Sequence, residues 1–540
     1  MIDGLFSMGS MIGRAAESLA GTIALQTGYG AARFAGATLQ DMNAAIRKRS
    51  KSDGLEGIIA RRLQPLLEGR NRPPANFPPR YEGVPFVGST LDFLIDPIPV
   101  VEAGFMEHGP VFSVRLGKED AVVLLGPEPN RLFFTKTDKS LSMRDAYQFL
   151  LRMFAGNVYF LAPEDEYKVQ KSIVLPRFSK KMMESYVTAM TAETERFLET
   201  MGQSGTFEAP QELGPLVMHI AARALLGESF RDLMADDLFG TFRVFSEGIE
   251  PVLPLWVPLP RFRRSAEAKE RLNKIFQGAI DERRRMTNGP QDFLQILLDE
   301  AKDAKMDDAL ICHLIMMLVW AGHETTLGQT SWVLADLLQN PDYLASVLEE
   351  QDEVLGDGPL TAEKLQQLQL IDWAIQETER LHPVAHMVFR KATDTFEVGG
   401  YRIPAGTSVI ASPWVSHRLS TVFSNPHRYD PERFSPERRE DKLPYSMIGF
   451  GGAAHLCAGI NFANQEMKII TTLLLRRYTM SLMTSEIYPV RAGKTRWPQD
   501  FEVSYRPRER GAAPSLIRPE PARAAAASSQ TPEECPFHKT

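Results

Sequence analysis

Cys457 stands two residues after His455, behind the turn Gly451-Gly452 and at the head of a largely apolar stretch. Ile460, Ala463, Met467, Ile470 and Leu474 follow at 3,4,3,4 spacing, which predicts one buried helical face. A thiol at the N-terminus of such a helix would feel the positive end of the macrodipole and unpaired backbone N–H groups. Both favour thiolate over thiol. A thiolate held there is a nucleophile or a metal ligand.

The surrounding glycines decide between the two. Gly451, Gly452 and Gly459 let the backbone lie close to something flat and large, and a haem iron with a cysteine axial ligand meets that description. A second segment, Ala309 to Gly322, is nearly all apolar and runs without a breaker through His323-Glu324-Thr325-Thr326 towards Asn340-Pro341. That pattern predicts a long helix buried all round at its centre. Polar groups there need a reason, because an unpaired buried one costs roughly 1–3 kcal/mol. Gly322 removes bulk, and Thr325 can bond back to a carbonyl one turn earlier. Together they would open a polar notch beside the acid Glu324; the alternative is a Thr satisfied by its own backbone and a Glu facing solvent. No HExxH zinc site begins at His323, since Leu327 occupies the second histidine position. A third segment sets Glu377 and Arg380 three apart on one helical face. Pro431-Glu432-Arg433-Phe434 offers a second guanidinium to the same acid.

The rest of the chain must position these groups. Its 540 residues include 44% apolar and 24% charged ones, ordinary values for a globular protein. A formal charge of −7 points away from nucleic acid. Three dispersed cysteines, Cys312, Cys457 and Cys535, exclude a disulfide framework and suit a reducing, cytoplasmic setting. No run of eighteen uninterrupted apolar residues is present, so no transmembrane helix is expected, nor does the start of the chain read as a secretory signal.

Residues 1–75 read as an N-terminal extension, Ala- and Gly-rich and then cationic from Arg47-Lys48-Arg49 to Arg72. Such an arm is compatible with peripheral contact with an anionic membrane surface, or with a helical extension packed on the main domain. Pro73-Pro74 and Pro78-Pro79 would stiffen the passage into residues 83–88. Val111–Leu116 and Ala121–Leu125, split by Gly117, predict a hairpin. Residues 145–385 are mainly helical in pattern, and residues 396–406 form a second strand-rich patch with turns at Gly399-Gly400 and Ala405-Gly406. Residues 511–540 read as a disordered tail, in which Cys535 and His538 are weak as a metal site.

Taken in order, the segments Ala321–Thr326, Glu377–Arg380, Pro431–Phe434 and Phe450–Gly459 resemble the signatures of the cytochrome P-450 superfamily. The likeness covers roughly residues 76–510. One departure is Ala453, where the family usually has glycine. Within the superfamily the chain is most similar to the sterol 14-alpha demethylases, through Val415-Ser416-His417-Arg418, Phe389-Arg390 and the loop Ala146 to Phe160. Two departures concern substrate: Glu324 replaces the histidine common before the distal threonine, and Arg152-Met153-Phe154-Ala155 replaces a Pro-x-Phe-Gly phrase.

The resemblance implies a mainly α fold with a small β-rich lobe and one haem-thiolate monooxygenase domain over residues 76–510. It implies haem b with Cys457 as its axial ligand, whose electron donation favours O–O cleavage. Thr325 and Glu324 would be the catalytic pair that bonds oxygen and relays protons. Tyr147 and Lys168 would hold one propionate, Arg390 and His455 the other. Glu377, Arg380 and Arg433 would brace the proximal side, and Tyr147, Phe149, Phe154 and Ala321 would face a hydrophobic substrate such as a sterol or another isoprenoid lipid. Electrons would come from a separate ferredoxin or flavoprotein reductase, since no flavin, nicotinamide or cysteine-cluster signature is present. A haem-thiolate isomerase or dehydratase, or a haem-binding protein without turnover, would use the same cysteine without needing the Glu324-Thr325 pair.

Overall fold

The computed structural model describes residues 76–82, 89–117, 119–249, 258–287, 289–290, 292–304, 306–484, 487–490, 495–499 and 501–509. The N-terminal arm, the segment 83–88 and the tail with Cys535 and His538 lie outside the described residues.

Six strands build the lobe next to the start of this region: β1 (Arg80–Tyr81), β2 (Val111–Leu116), β3 (Glu119–Leu124), β4 (Leu141–Ser142), β5 (Val388–Ala392) and β6 (Ser408–Ala411), in the order β1-β2-β3-β6-β5-β4. The expected hairpin is β2–β3, with Leu116 opposite Glu119 and Gly117 turning at φ +64°. A second hairpin pairs Phe396–Val398 with Tyr401–Ile403. Its two-residue turn, Gly399-Gly400, has φ of +57° and +82°, the mirror-image turn geometry that glycine adopts without a Cβ penalty. Strand β5 runs antiparallel to β6, with Arg390 opposite Val409.

The helices enclose the site: α1 (Glu164–Val174), α2 (Lys180–Met201), α3 (Ala209–Leu226), α4 (Glu228–Ser246), α5 (Pro260–Arg285), α6 (Asp308–Gln339), α7 (Gln369–Leu381) and α8 (Ile460–Arg477). Asp307 caps α6 by accepting the Leu310 N–H at 2.8 Å. Helix α6 packs against α3, α5, α7 and α8, which explains why its sequence is apolar on every side. It is long and apolar enough to cross a membrane, yet 61% of its most apolar window is buried inside the protein. Burial of Ile371, Ala374, Ile375, Thr378 and Leu381 on α7 follows the helical period, and the same face carries Glu377.

Helix α8 departs from the single buried face expected of it. Glu466 to Leu475 are all buried, because α8 is hemmed in by α2, α6 and α7. Ile460 and Ala463, in its first turn beside Cys457, are only half-buried.

Candidate active site

The cysteine loop closes on itself: the Cys457 N–H donates to the Phe450 carbonyl at 2.8 Å and the Gly451 N–H to Ile448 at 2.9 Å. Gly451 has φ +82°, and a Cβ there would meet the His455 carbonyl at 2.5 Å. No other residue fits. A Cβ at Gly452 would lie 3.0 Å from the rings of Phe134 and Tyr445, which stack 6.2 Å apart. The loop is therefore clamped from outside, leaving Leu456 and Cys457 exposed on its inner turn.

Ala453 adopts φ +51°, so the departure from glycine falls in the left-handed region. A Cβ there costs roughly 1–2 kcal/mol, partly offset because glycine loses more backbone freedom on folding. Ala453→Gly is expected to raise stability by about 0.5–1 kcal/mol, read as a higher thermal midpoint of the haem-loaded protein. A lowered midpoint would contradict the strain assigned to this position.

The Cys457 sulfur accepts hydrogen bonds from the N–H groups of Gly459 and Ile460 at the head of α8. Although Cys457 opens onto unfilled space, the protein packed around it desolvates the charged form and pushes the thiol up, and the two N–H groups recover only part of that. The helix terminus favours the thiolate as expected, but among the described residues no cation beside the sulfur adds to it against the desolvation. A metal ion bonded to the sulfur would remove that proton outright. The space beside it is open, for a Cβ at Gly459 would meet only the sulfur, at 3.9 Å. Gly322 in mid-α6 likewise faces open space, with nothing within 4 Å of an added Cβ. Cys312, by contrast, is buried against α5, near Asn273, and its thiol is pushed up to about 11.

On α6 Thr325 donates to the Ala321 carbonyl at 2.6 Å, the back-bond its position one turn on allows. Glu324 is buried at 6% exposure rather than turned to solvent. Ala321, Glu324 and Thr325 line a cavity of about 470 Å³ together with Tyr147, Phe149 and Trp320. Phe154 does not reach it. It packs edge-on against Phe245 and behind Trp320, with ring centroids 5.3 and 5.5 Å away.

At the edge of the site the structure brings Tyr147, Arg390 and His455 into one polar cluster and leaves Lys168 out. Arg390 is buried; it donates to Thr137 Oγ1 at 3.0 Å and to the Phe389 carbonyl at 2.7 Å, and Tyr147 bonds to it as well. Among the described residues it has no ion-pair partner within 4.0 Å. His455 Nε2 lies 2.6 Å from Asp138 Oδ2 and stacks on Tyr167. Burial works against the Asp138 carboxylate, but His455 and Arg390 outweigh it and hold the group below its ordinary value. Lys168 is 68% exposed and pairs with Glu164 at 2.6 Å. The lysine on the inner face of α1 is Lys171, which donates to the Ala454 carbonyl of the cysteine loop. Tyr167 and Lys171 are legible as an i,i+4 pair on one helical face; the expected Lys168 stands three residues before Lys171, about 60° away around the axis.

Beneath the loop, Glu377, Arg380 and Arg433 are fully buried. Glu377 accepts from Arg380 at 2.7 and 2.9 Å and from Arg433 at 3.1 Å. Carbonyls of His417, Pro426 and Arg428 take further Arg380 N–H groups. The residues present fit a haem: a sulfur next to open space, a glycine beside it that leaves that space unfilled, and a buried guanidinium without a carboxylate partner among the described residues.

Comparison with known proteins agrees. A family profile described as Cytochrome P450 matches residues 78–494. The chain belongs to the cytochrome P450 family. As a cytochrome P450 it is a haem-dependent monooxygenase with thiolate ligation, and members of its family generally take hydrophobic substrates and electrons from a separate redox protein. This P450 is 32% identical over 421 residues to an obtusifoliol 14-alpha demethylase of Triticum aestivum, covering 75% of the chain and 93% of the relative. It is 31% identical over 408 residues to a sterol 14alpha-demethylase of Mycolicibacterium vanbaalenii, covering 73% and 89%. The lanosterol 14-alpha demethylase of Homo sapiens is 29% identical over 434 residues, covering 79% and 84%. Among solved structures, retinoic acid-bound cyanobacterial CYP120A1 superposes with a TM-score of 0.70 at 26% identity, over 79% of this chain and 98% of that one.

Proposed function

We propose that this P450 inserts one oxygen atom from O2 into a sterol or another isoprenoid lipid, using haem b held by Cys457. The observation that carries the reading is the cavity beside α6. Its volume of about 470 Å³ lies in the range of small-molecule sites, roughly 300–1,000 Å³. Its wall is mostly apolar, with Phe93, Phe149, Trp320 and Val388, and it ends on the polar notch of Glu324 and Thr325. The sterol demethylases among its relatives support the substrate class.

When bound, the haem supplies the activation of dioxygen that no side chain can provide. Thr325 Oγ1 can exchange its 2.6 Å bond to Ala321 for one directed into the cavity, and so deliver a proton there. Glu324 stands between that cavity and a more open one lined by Arg243, Ser246 and Glu247, a position from which it can pass protons inward. Arg390 and Tyr147 would bind one propionate, with His455, Tyr167 and Lys171 beside the other. Electrons would come from a ferredoxin or a flavoprotein reductase.

Spin-shift titration of the purified protein with sterols, fatty acids and terpenoids tests the substrate class; sterols failing to shift the spectrum while another class does would refute it. For the proton pair, Thr325→Ala should lower product formation about 10²-fold while reductant consumption continues. An unchanged ratio of product to reductant would remove Thr325 from its role.

A further inference from the structure

Glu379 lies on α7 between Glu377 and Arg380, and its side chain reaches the cysteine loop. Its Oε1 stands so near Gly449 that any Cβ there would run into it. Gly449 directly precedes Phe450, whose carbonyl takes the Cys457 N–H at 2.8 Å. On the other side of Gly449, Ile448 is fixed twice. Its N–H donates to His417 Nε2 at 2.8 Å, and its carbonyl accepts the Gly451 N–H at 2.9 Å. A carboxyl is therefore packed against the backbone that carries the sulfur, and the buried Glu377 network makes no use of it.

We propose that Glu379 is a redox-linked proton site: as the haem held by Cys457 takes one electron from the redox protein, the Glu379 carboxylate takes one proton from solvent. Only the O–H bond of the acid forms. The added electron favours the neutral acid over the carboxylate, and by linkage the proton makes the iron easier to reduce by the same factor. Glu379 is half-buried, open enough to exchange its proton. The protein packed around the carboxyl pushes it up to about 8, and the Gly449 N–H draws it only partly back. Among the described residues no charged side chain shifts it. Glu377 is engaged with Arg380 and Arg433, Asp336 of α6 with Thr378 and His382, and His455 of the loop with Asp138. His417 bonds the backbone of Glu379 and Arg380, and burial pulls its ring down to about 3, so it stays neutral. The assignment rests on haem ligation by Cys457 and is independent of which substrate fills the cavity.

Potentiometric titration of the haem-loaded protein between about pH 6 and about pH 10 tests it, with wild type beside Glu379→Gln and Glu379→Leu. Glutamine keeps the shape and the contact with Gly449 but cannot ionise; leucine covers the case in which the amide disturbs the loop. The red-shifted carbon monoxide band confirms haem ligation in each protein. Below about pH 7 the wild type and Glu379→Gln should share one midpoint, because the acid is then neutral. Above about pH 8 the wild type alone should become harder to reduce, by about tenfold in the ferric–ferrous equilibrium, or about 59 mV for one electron. That is the shift two unit charges roughly 12 Å apart impose on one another at an effective dielectric of about 20. The same pH profile in wild type and both variants, or a gap between them that does not change with pH, overturns the assignment. A wild type without the carbon monoxide band would overturn the haem reading beneath it.

Discussion

Glu377→Ala is expected to destabilise the haem-loaded protein by about 3–5 kcal/mol, the range for breaking a buried ion pair by removing one partner. Glu377 is the carboxylate shared by two guanidinium groups that are themselves fully shielded from water. Without it Arg380 keeps only carbonyl acceptors. Arg433 keeps its pair with Glu440 at 2.8 Å. The Asp430 N–H, which donates to Glu377 at 2.8 Å, loses its partner as well. The segment carrying Asp430 and Arg433 would loosen, and with it the support under the cysteine loop. Denaturant unfolding followed by circular dichroism reads the shift in midpoint. Arg263→Ala supplies the contrast: its pair with Glu267 lies on the surface, 85% and 64% exposed, and such pairs contribute about 0–1 kcal/mol. Equal effects from the two substitutions would mean that the buried network braces nothing.

Much of this site was readable before any coordinates because its chemistry is concentrated in short phrases whose geometry is local. Glu377 and Arg380 are three apart on one helix, so their pairing needs only the helical period. Thr325 and Ala321 are one turn apart, and the back-bond follows. Gly451 carries its own reason in a positive φ. The helical pattern over residues 145–385 and the two strand-rich patches are legible as local structure, whereas the fold class rested on the resemblance of the ordered motifs to the cytochrome P-450 superfamily.

What was not readable depends on phase and depth. Lys168 and Lys171 both suit an anion, and only the seating of α1 against the cysteine loop puts Lys171 inside and Lys168 beside Glu164. Phe154 and Trp320 are equally plausible wall residues in sequence, and packing against Phe245 puts one behind the other. The Cys457 thiol shows the same limit in electrostatics. A helix terminus is visible in sequence, whereas the desolvation that opposes it arises from distant elements.

The central claim is that the Cys457 sulfur bonds haem iron. Nothing else among the described cysteines competes, since Cys312 is buried against α5, near Asn273. The direct measurement is the absorption spectrum of the reduced, carbon monoxide-treated protein, wild type beside Cys457→Ser. Thiolate ligation predicts a strongly red-shifted Soret band in the wild type and complete loss of that band, with loss of turnover, in the serine variant. A red-shifted band that persists without the sulfur of Cys457 would contradict the account.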